Sequence, residues 1–276
     1  MLAPIGLSLS AAACWGVADF SGGLASKQAN VYKVVLTAHA TGLALMVAFA
    51  LIRGEQVPNT QSLLWGMAAG TAGTVGLAAL YRGLAVGKMG IVAPITAVLT
   101  ATLPVVYGGI SQGLPRAIQL GGFFLAAMGI ILISRPEKTE GVPKGLGLAV
   151  LSGAGFGLFL IFIKMAGTSA VFWPLAAARF PAIILMGALA LLSKEPSGFS
   201  PRVVRLALVA GTLDTAGNAF FILATQQGRL DVAAMLSSLY PAMTVIMAFF
   251  VLKERMTSIQ NLGIVAALAS VPMIAG

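Results

Sequence analysis

A few ionisable side chains lie inside long apolar stretches of this 276-residue chain. A charge at the centre of a bilayer costs about 2.5–3.5 kcal/mol on insertion scales, so such a residue usually faces a cavity or a partner. The four deepest in their stretches are Asp19, His39, Arg179 and Asp214. These groups could bind a polar solute in a cavity, or they could pair with one another as a purely structural lock.

Helical spacing sets two of these residues beside further candidates for substrate binding. Trp15 and Asp19 are four residues apart, as are Asp214 and Asn218, so each pair shares one face of a helix. An aromatic ring beside a carboxylate suits an organic cation or the amino group of an amino acid. The alternatives are a tryptophan at the membrane interface and an aspartate that caps a neighbouring helix.

His39 and Arg179 lie at similar depths in their stretches, 140 residues apart. An arginine there would favour a substrate carboxylate through bidentate hydrogen bonds, or it could be locked to Asp214 or to a backbone carbonyl. The histidine could relay protons near neutral pH, or it could be an ordinary core residue. Tyr240 is a further candidate for substrate contact, although tyrosines near the ends of spans are often interfacial anchors.

Two prolines within apolar stretches, Pro104 and Pro241, are candidates for a gate or hinge. A proline removes a helical hydrogen bond and can kink the helix, which opens a cavity and supplies a point of bending. The alternative is a static bend, which membrane helices often contain.

The composition excludes a water-soluble fold. Hydrophobic residues make up 58% of the chain and charged residues only 9%, with a mean hydropathy of +0.96. A soluble domain carries roughly 25% charged residues, because it must cover its surface. The sequence therefore predicts an integral membrane protein whose main environment is the lipid bilayer.

Metal ions, cofactors and nucleic acids are not expected partners. One cysteine and one histidine leave little for a metal site, and we predict no metal and no cofactor. The net charge of +9 comes from basic residues scattered between apolar runs, which indicates membrane orientation and no nucleic-acid partner.

Ten apolar runs are long enough to cross a membrane as helices, which need about 20 residues each. They lie near residues 4–25, 31–52, 61–86, 90–111, 116–134, 144–166, 170–193, 203–227, 231–251 and 258–275. Only short separators remain between them. The fold class is therefore predicted as all-α, with ten transmembrane helices and no soluble domain.

A shift of 141 residues aligns the two halves of the chain without gaps. It matches Ala69-Gly70-Thr71 with Ala210-Gly211-Thr212, Gly16 with Gly157, and Ile118-Gln119 with Ile259-Gln260. We predict a first repeat over residues 1–135, a polar linker over 136–143 and a second repeat over 144–276. Five helices are an odd number, so the second repeat is inverted relative to the first, as in many secondary transporters.

The later helices resemble the end of an EamA domain of the drug/metabolite transporter superfamily. The residues that carry the likeness are Ser237-Ser238-Leu239-Tyr240-Pro241, Leu252-Lys253-Glu254-Arg255-Met256-Thr257 and Gln260-Asn261-Leu262-Gly263, with Trp15-Gly16 near the start. The first repeat departs from the pattern, because Gly113-Leu114-Pro115 replaces the acidic-basic turn. The resemblance implies ten helices in two EamA repeats and a transporter of small metabolites.

We therefore expect a secondary transporter, an exporter of amino acids or drug-like solutes, that works by alternating access through a central midplane cavity. It is not expected to be an enzyme. Proton coupling is possible through Asp19, Asp214 and His39. The alternatives are a flippase for lipid-linked substrates and an intramembrane enzyme.

The expected location is the cell membrane, the inner membrane of a bacterium, as a monomer or homodimer. Eleven basic residues lie at one end of the predicted spans and three at the other, so the positive-inside rule puts both termini outside the cytoplasm. The resemblance implies the opposite orientation, because such transporters are usually described with both termini inside.

Overall fold

The computed structural model describes residues 2–86, 89–133, 145–167, 170–193, 198–253 and 257–275. Within these ranges the chain is helical, with eleven helices: α1 (Leu2–Ser26), α2 (Val31–Ile52), α3 (Thr60–Val86), α4 (Met89–Gln112), α5 (Ala117–Ile133), α6 (Leu146–Ala166), α7 (Phe172–Leu192), α8 (Pro201–Gln227), α9 (Leu230–Ser237), α10 (Tyr240–Leu252) and α11 (Ser258–Ala275). The predicted linker 136–143 and the acidic-basic turn at 254–256 lie outside the described residues.

The predicted ninth helix is not continuous, which corrects the sequence prediction for 231–251. It is divided into α9 and α10 at Ser238 and Leu239, directly before Tyr240 and Pro241. A proline cannot donate a backbone hydrogen bond, and its ring clashes with the carbonyl four residues earlier, here that of Ser237. Helix α4, by contrast, runs through Pro104 without a break.

The outer surface of the bundle is apolar. Nine helical segments among the described residues are long and apolar enough to cross a membrane, α9 and α10 counting as one, and α5 is a shorter apolar helix. Large hydrophobic side chains are widely exposed, for example Leu191 at 89% and Ile110 at 83%. Such a surface would be unstable in water and suits lipid. The protein is therefore a multi-pass membrane protein.

Successive helices run back and forth, so the bundle has two ends. At the terminal end Glu55 contacts the start of α7, Arg229 contacts the end of α4, and Gly228 packs against Pro4. At the opposite end Asn30 Nδ2 donates to Ser193 Oγ over 2.9 Å. We use the names terminal end and opposite end for these two groups of contacts below.

Helices α2 and α7 are antiparallel, as are α5 and α11. Asn30 at the start of α2 meets Ser193 just after α7, whereas the rings of Phe49 and Phe172, late in α2 and early in α7, are 5.7 Å apart. In the second pair Gln119 Nε2 donates to the carbonyl of Ile274 over 3.1 Å. At the other end of that pair, Gly263 packs against the backbone of Ile133.

The largest buried core fills the half of the bundle nearest the terminal end. Met46, Leu175, Phe221 and Leu230 are among its members, each less than 2% exposed. A second core joins α4, α5, α9 and α11, and a small one of four residues joins α1, α2 and α8 at the opposite end. The largest group of buried apolar side chains therefore lies toward the terminal end.

Candidate functional site

A cavity of about 140 Å³ lies near mid-height in the bundle, and we call it the chamber. Helices α1, α2, α3, α4, α6, α7, α8 and α10 all contribute to its lining. Among the lining residues are all seven that the sequence analysis proposed for substrate contact or translocation: Trp15, Asp19, His39, Arg179, Asp214, Asn218 and Tyr240. The fold thus brings these seven residues, which lie on five of the eight helices, around one cavity.

A hydrogen-bonded network joins three helices at the chamber. The guanidinium of Arg179 on α7 donates through Nη2 to Asp214 Oδ2 on α8 over 2.6 Å, and its Nη1 lies 2.8 Å from His39 Nδ1 on α2. Asn218 donates to Asp214 Oδ2 over 3.1 Å and to the Asp214 carbonyl over 2.8 Å. Arg179 is thereby held on both terminal nitrogens, which is the lock that the sequence analysis kept as an alternative.

Gly42 makes room for this network. A methyl group on Gly42 would lie 3.1 Å from Arg179 Nε and 2.8 Å from Thr215 Oγ1, so a larger residue would push the arginine aside. Arg179 Nε, His39 Nε2 and Thr215 Oγ1 are buried without a hydrogen-bond partner among the described residues. Buried polar atoms of this kind cost free energy and are uncommon in packed protein, except at functional sites.

Asp19 lies outside this network. Among the described residues, no hydrogen bond or ion pair involves its carboxylate, and the side chain is more than a third exposed within the bundle. Its charge interacts at longer range with Asp214 and with Tyr240. Asp19 is therefore a carboxylate that the fold presents to the chamber without neutralising it.

Trp15 is positioned by close packing against α8. A methyl group on Gly217 would lie 2.6 Å from Trp15 Cδ1, so only glycine lets the indole approach so closely. The ring centroids of Trp15 and Phe221 are 5.9 Å apart. We call the side of the chamber formed by Trp15 and Asp19 on α1, with Asp214 and Asn218 on α8, the polar wall.

The other side of the chamber, which the sequence analysis missed, is formed by α3 and α6. Apart from Thr74, whose hydroxyl donates to the Gly70 carbonyl, it consists of apolar residues and glycines, which we call the apolar wall: Gly70, Gly73, Leu77, Leu80, Phe156, Phe159 and Leu160. The internal repeat of the sequence contained a signal for the apolar wall. Shifting the polar-wall residues Trp15, Asp19, Asp214 and Asn218 by 141 leads to Phe156, Leu160, Gly73 and Leu77.

The chamber is closed toward the terminal end. On α2, Met46 follows His39 in the direction of that end, and on α7 Leu175 precedes Arg179; both belong to the large core. On α8, Phe221 of the same core follows Asn218. The large core therefore separates the chamber from the terminal end of the bundle.

The predicted gate prolines lie beside the chamber but do not line it. Pro241 follows the lining residue Tyr240 at the break between α9 and α10, and the carbonyl of Tyr240 approaches Gly16 of α1. Pro104 is buried within α4. A hinge at either proline stays a prediction.

Two polar clamps lie at the terminal end, away from the chamber. Glu55 accepts hydrogen bonds of 2.9 Å from the backbone amides of Val171, Phe172 and Trp173, where the helix dipole of α7 favours a negative charge. Arg229 donates to the fully buried Asp231 over 2.7 Å. This hydrogen bond, together with the charge of Asp231, raises the pKa of Arg229.

Comparisons with known proteins agree with this architecture. The model of the EamA-like transporter family matches residues 143–276. A solved structure described only as "Crystal structure of protein" has a TM-score of 0.77 at 16% identity, with 98% of this chain and 95% of that chain covered. At this identity the likeness concerns the fold alone. No curated protein matches the chain.

Proposed function

We propose that this chain, which belongs to the EamA-like transporter family of the drug/metabolite transporter superfamily, is a secondary transporter that exports small metabolites by alternating access through the chamber. The observation that carries the proposal is a chamber near mid-height with ionisable side chains, which the large core separates from the terminal end. Buried ionisable groups in a membrane protein indicate a path for a polar solute.

Packing contacts that repeat at a fixed interval support two structural repeats. A methyl group on Gly76 would lie 3.1 Å from the ring of Phe156. Under the shift of 141 these two residues correspond to Gly217 and Trp15, which also contact one another. Likewise Gly122 packs against Ile274, and Gly263 packs against Ile133. In each case, a contact between two residues is matched by a second contact between the two residues that the shift of 141 assigns to them.

The antiparallel pairs support an inverted relation of these repeats. Under the shift of 141, α2 corresponds to α7 and α5 to α11. Two parallel repeats would carry their corresponding helices in the same direction, whereas each of these pairs runs in opposite directions. Inverted repeats allow a transporter to exchange the conformations of its halves and so to open at either end.

The distribution of basic residues supports export. In the sequence, eleven lysines and arginines fall in the odd-numbered separators between the predicted spans and three in the even-numbered ones, with Lys164 near the latter. The first separator, between α1 and α2, lies at the opposite end, so the positive-inside rule turns that end toward the cytoplasm. Since the large core closes the terminal end, this conformation would load its solute from the cytoplasm. A reporter fused after residue 276 should accordingly score outside the cytoplasm, and a cytoplasmic signal would reverse the direction proposed here.

The transport proposal can be tested in proteoliposomes with two cysteine variants. In a Cys14→Ala background, Leu77→Cys in the chamber should react with a membrane-impermeant maleimide, and Met46→Cys in the core should not. A solute that drives counterflow should raise the reactivity of Met46→Cys, because the terminal end must open during each cycle. Absence of counterflow across a panel of amines, amino acids and lipid-linked sugars, with Met46→Cys unreactive throughout, would refute a carrier.

A further inference from the structure

The chamber combines one wall that carries charge with one that carries none. On the polar wall the charged side chains are Asp19 and Asp214. Under the shift of 141 they correspond to Leu160 and Gly73 on the apolar wall, which also carries Leu77 and Phe156. A ligand that fills the space therefore meets hydrocarbon and aromatic rings on one side and polar groups on the other. This division favours an amphipathic molecule over a uniformly polar one such as a sugar.

The pairing of charges around the chamber indicates which charge a ligand should carry. Asp214 is paired with Arg179 at 2.6 Å, and the second terminal nitrogen of Arg179 is occupied by His39. The positive and negative charges of this pair offset one another. Among the described lining residues, the carboxylate of Asp19 is then the one charge without a counterion.

We propose that the chamber selects small amphipathic amines that carry a single positive charge and no carboxylate. The ammonium group lies at Asp19 beside the ring of Trp15, and the apolar part rests on the Phe156 side of the chamber. A cation between a carboxylate and an aromatic face gains from both interactions. The inference rests on the transport function proposed above and names its substrate class.

A zwitterionic amino acid fits this arrangement less well. Its carboxylate would need a cationic partner, and the charge of Arg179 is already offset by Asp214 at 2.6 Å, so a second carboxylate there would leave one negative charge in excess. The size of the chamber also argues for a compact ligand. A cavity of roughly 150 Å³ in another protein holds benzene, and this one measures about 140 Å³. A one-ring amine is therefore a suitable probe.

The test compares three probes that share one ring and differ only in charged groups: 2-phenylethylamine, phenylalanine and 3-phenylpropionate. Binding to the purified protein in detergent is followed by calorimetry. We expect 2-phenylethylamine to bind at least tenfold more tightly than either other compound. Asp19→Asn should weaken its binding at least tenfold, and Asp19→Glu should restore part of it.

Glu55→Gln is the matched control, because it removes the same charge from the terminal end and leaves the chamber intact. It should not change amine binding. Equal affinity for phenylalanine and 2-phenylethylamine, or unchanged amine binding in an Asp19→Asn protein that melts normally, would overturn the inference.

Counterflow of the same probes separates this inference from the transport proposal. If other solutes move while the amine neither binds nor moves, the carrier stands and the substrate class is wrong. If the amine binds in an Asp19-dependent manner and no solute moves, the site stands and the transport function is wrong. Asp19-dependent amine counterflow, with phenylalanine transported poorly, supports both.

Discussion

The two walls of the chamber are built by the same kind of packing and carry opposite chemistry. Trp15 lies against Gly217 on the polar wall, and Phe156 lies against Gly76 on the apolar wall, 141 residues away in each case. At Asp19 and Asp214 the polar wall has carboxylates, whereas the corresponding positions are Leu160 and Gly73. The contacts between helices thus repeat while the charges do not, so the same helix packing surrounds carboxylates on one wall and apolar residues on the other.

The largest effect is expected when a charge is added to the apolar wall or removed from the polar wall. Leu160→Asp should lower the free energy of unfolding by about 4 kcal/mol, because Leu160 is 2% exposed within the large core and a carboxylate there loses its hydration. Asp19→Leu should leave the melting temperature unchanged or raise it, because it removes an unpaired charge, yet it should abolish transport. Thermal unfolding in detergent and counterflow in vesicles measure the two effects.

A normal melting temperature for Leu160→Asp would mean that the apolar wall tolerates charge as the polar wall does. The difference between the walls would then not be a property of the fold.

A double-mutant cycle separates the paired carboxylate of the polar wall from the unpaired one. Arg179→Met leaves Asp214 without its cation, and Asp214→Leu leaves Arg179, whose side chain is 8% exposed, without its anion. Each change should cost about 3 kcal/mol, while the double variant should cost clearly less than the sum, since neither charge remains unpaired. Chemical denaturation in detergent provides the four free energies.

Asp19 serves as the control for that cycle. Asp19→Leu combined with Arg179→Met should show a smaller coupling energy than the Arg179–Asp214 cycle, because no ion pair joins Asp19 to Arg179 and Asp19 meets the network only through longer-range repulsion with Asp214. Additivity in the Arg179–Asp214 cycle would show that their contact contributes nothing to stability.

Gly70 on α3 and Gly211 on α8, which correspond under the shift of 141, should be equally sensitive to substitution. A methyl group on Gly70 of α3 would lie 1.9 Å from the carbonyl oxygen of Ala178, and one on Gly211 of α8 would lie 2.5 Å from that of Ala38. Gly70→Ala and Gly211→Ala should each destabilise the protein by about 2 kcal/mol, the usual scale of overpacking. Thermal unfolding of the two variants side by side measures the effect.

Gly147→Ala on α6 is the control, since no atom of the described residues lies within 4 Å of the added methyl group. It should be neutral or slightly stabilising, because alanine has the higher helix propensity. A large loss for Gly70→Ala with none for Gly211→Ala would argue against equivalent scaffolds.

Most helix bounds could be predicted from the sequence, because a span must be apolar along its whole length. The prediction of 31–52 coincides with Val31–Ile52, and that of 258–275 with Ser258–Ala275. The resemblance to the EamA family is confirmed for residues 143–276. The break at Ser238 and Leu239 was missed, because the segment is apolar on both sides of it and hydropathy does not register one proline.

Residue type alone predicted only the polar side of the candidate site, whereas the apolar side could be found only through the shift of 141. Asp19, His39, Arg179 and Asp214 stand out because an ionisable group in an apolar run is rare. Leu77 and Phe159 do not stand out, since nothing in their own segments distinguishes a residue that lines a cavity from one that faces lipid.

The sequence alone determined the membrane environment, nearly all of the helices and the short set of side chains able to do chemistry. These are properties of single segments, which composition and spacing express directly. Only the tertiary structure decided that Arg179 is held by Asp214 and His39, that Asp19 has no ion-pair partner in the described part of the chain, and that the large core lies toward the terminal end. Each depends on how close two helices approach and on which faces they turn to one another, and that geometry arises only when all the helices pack together.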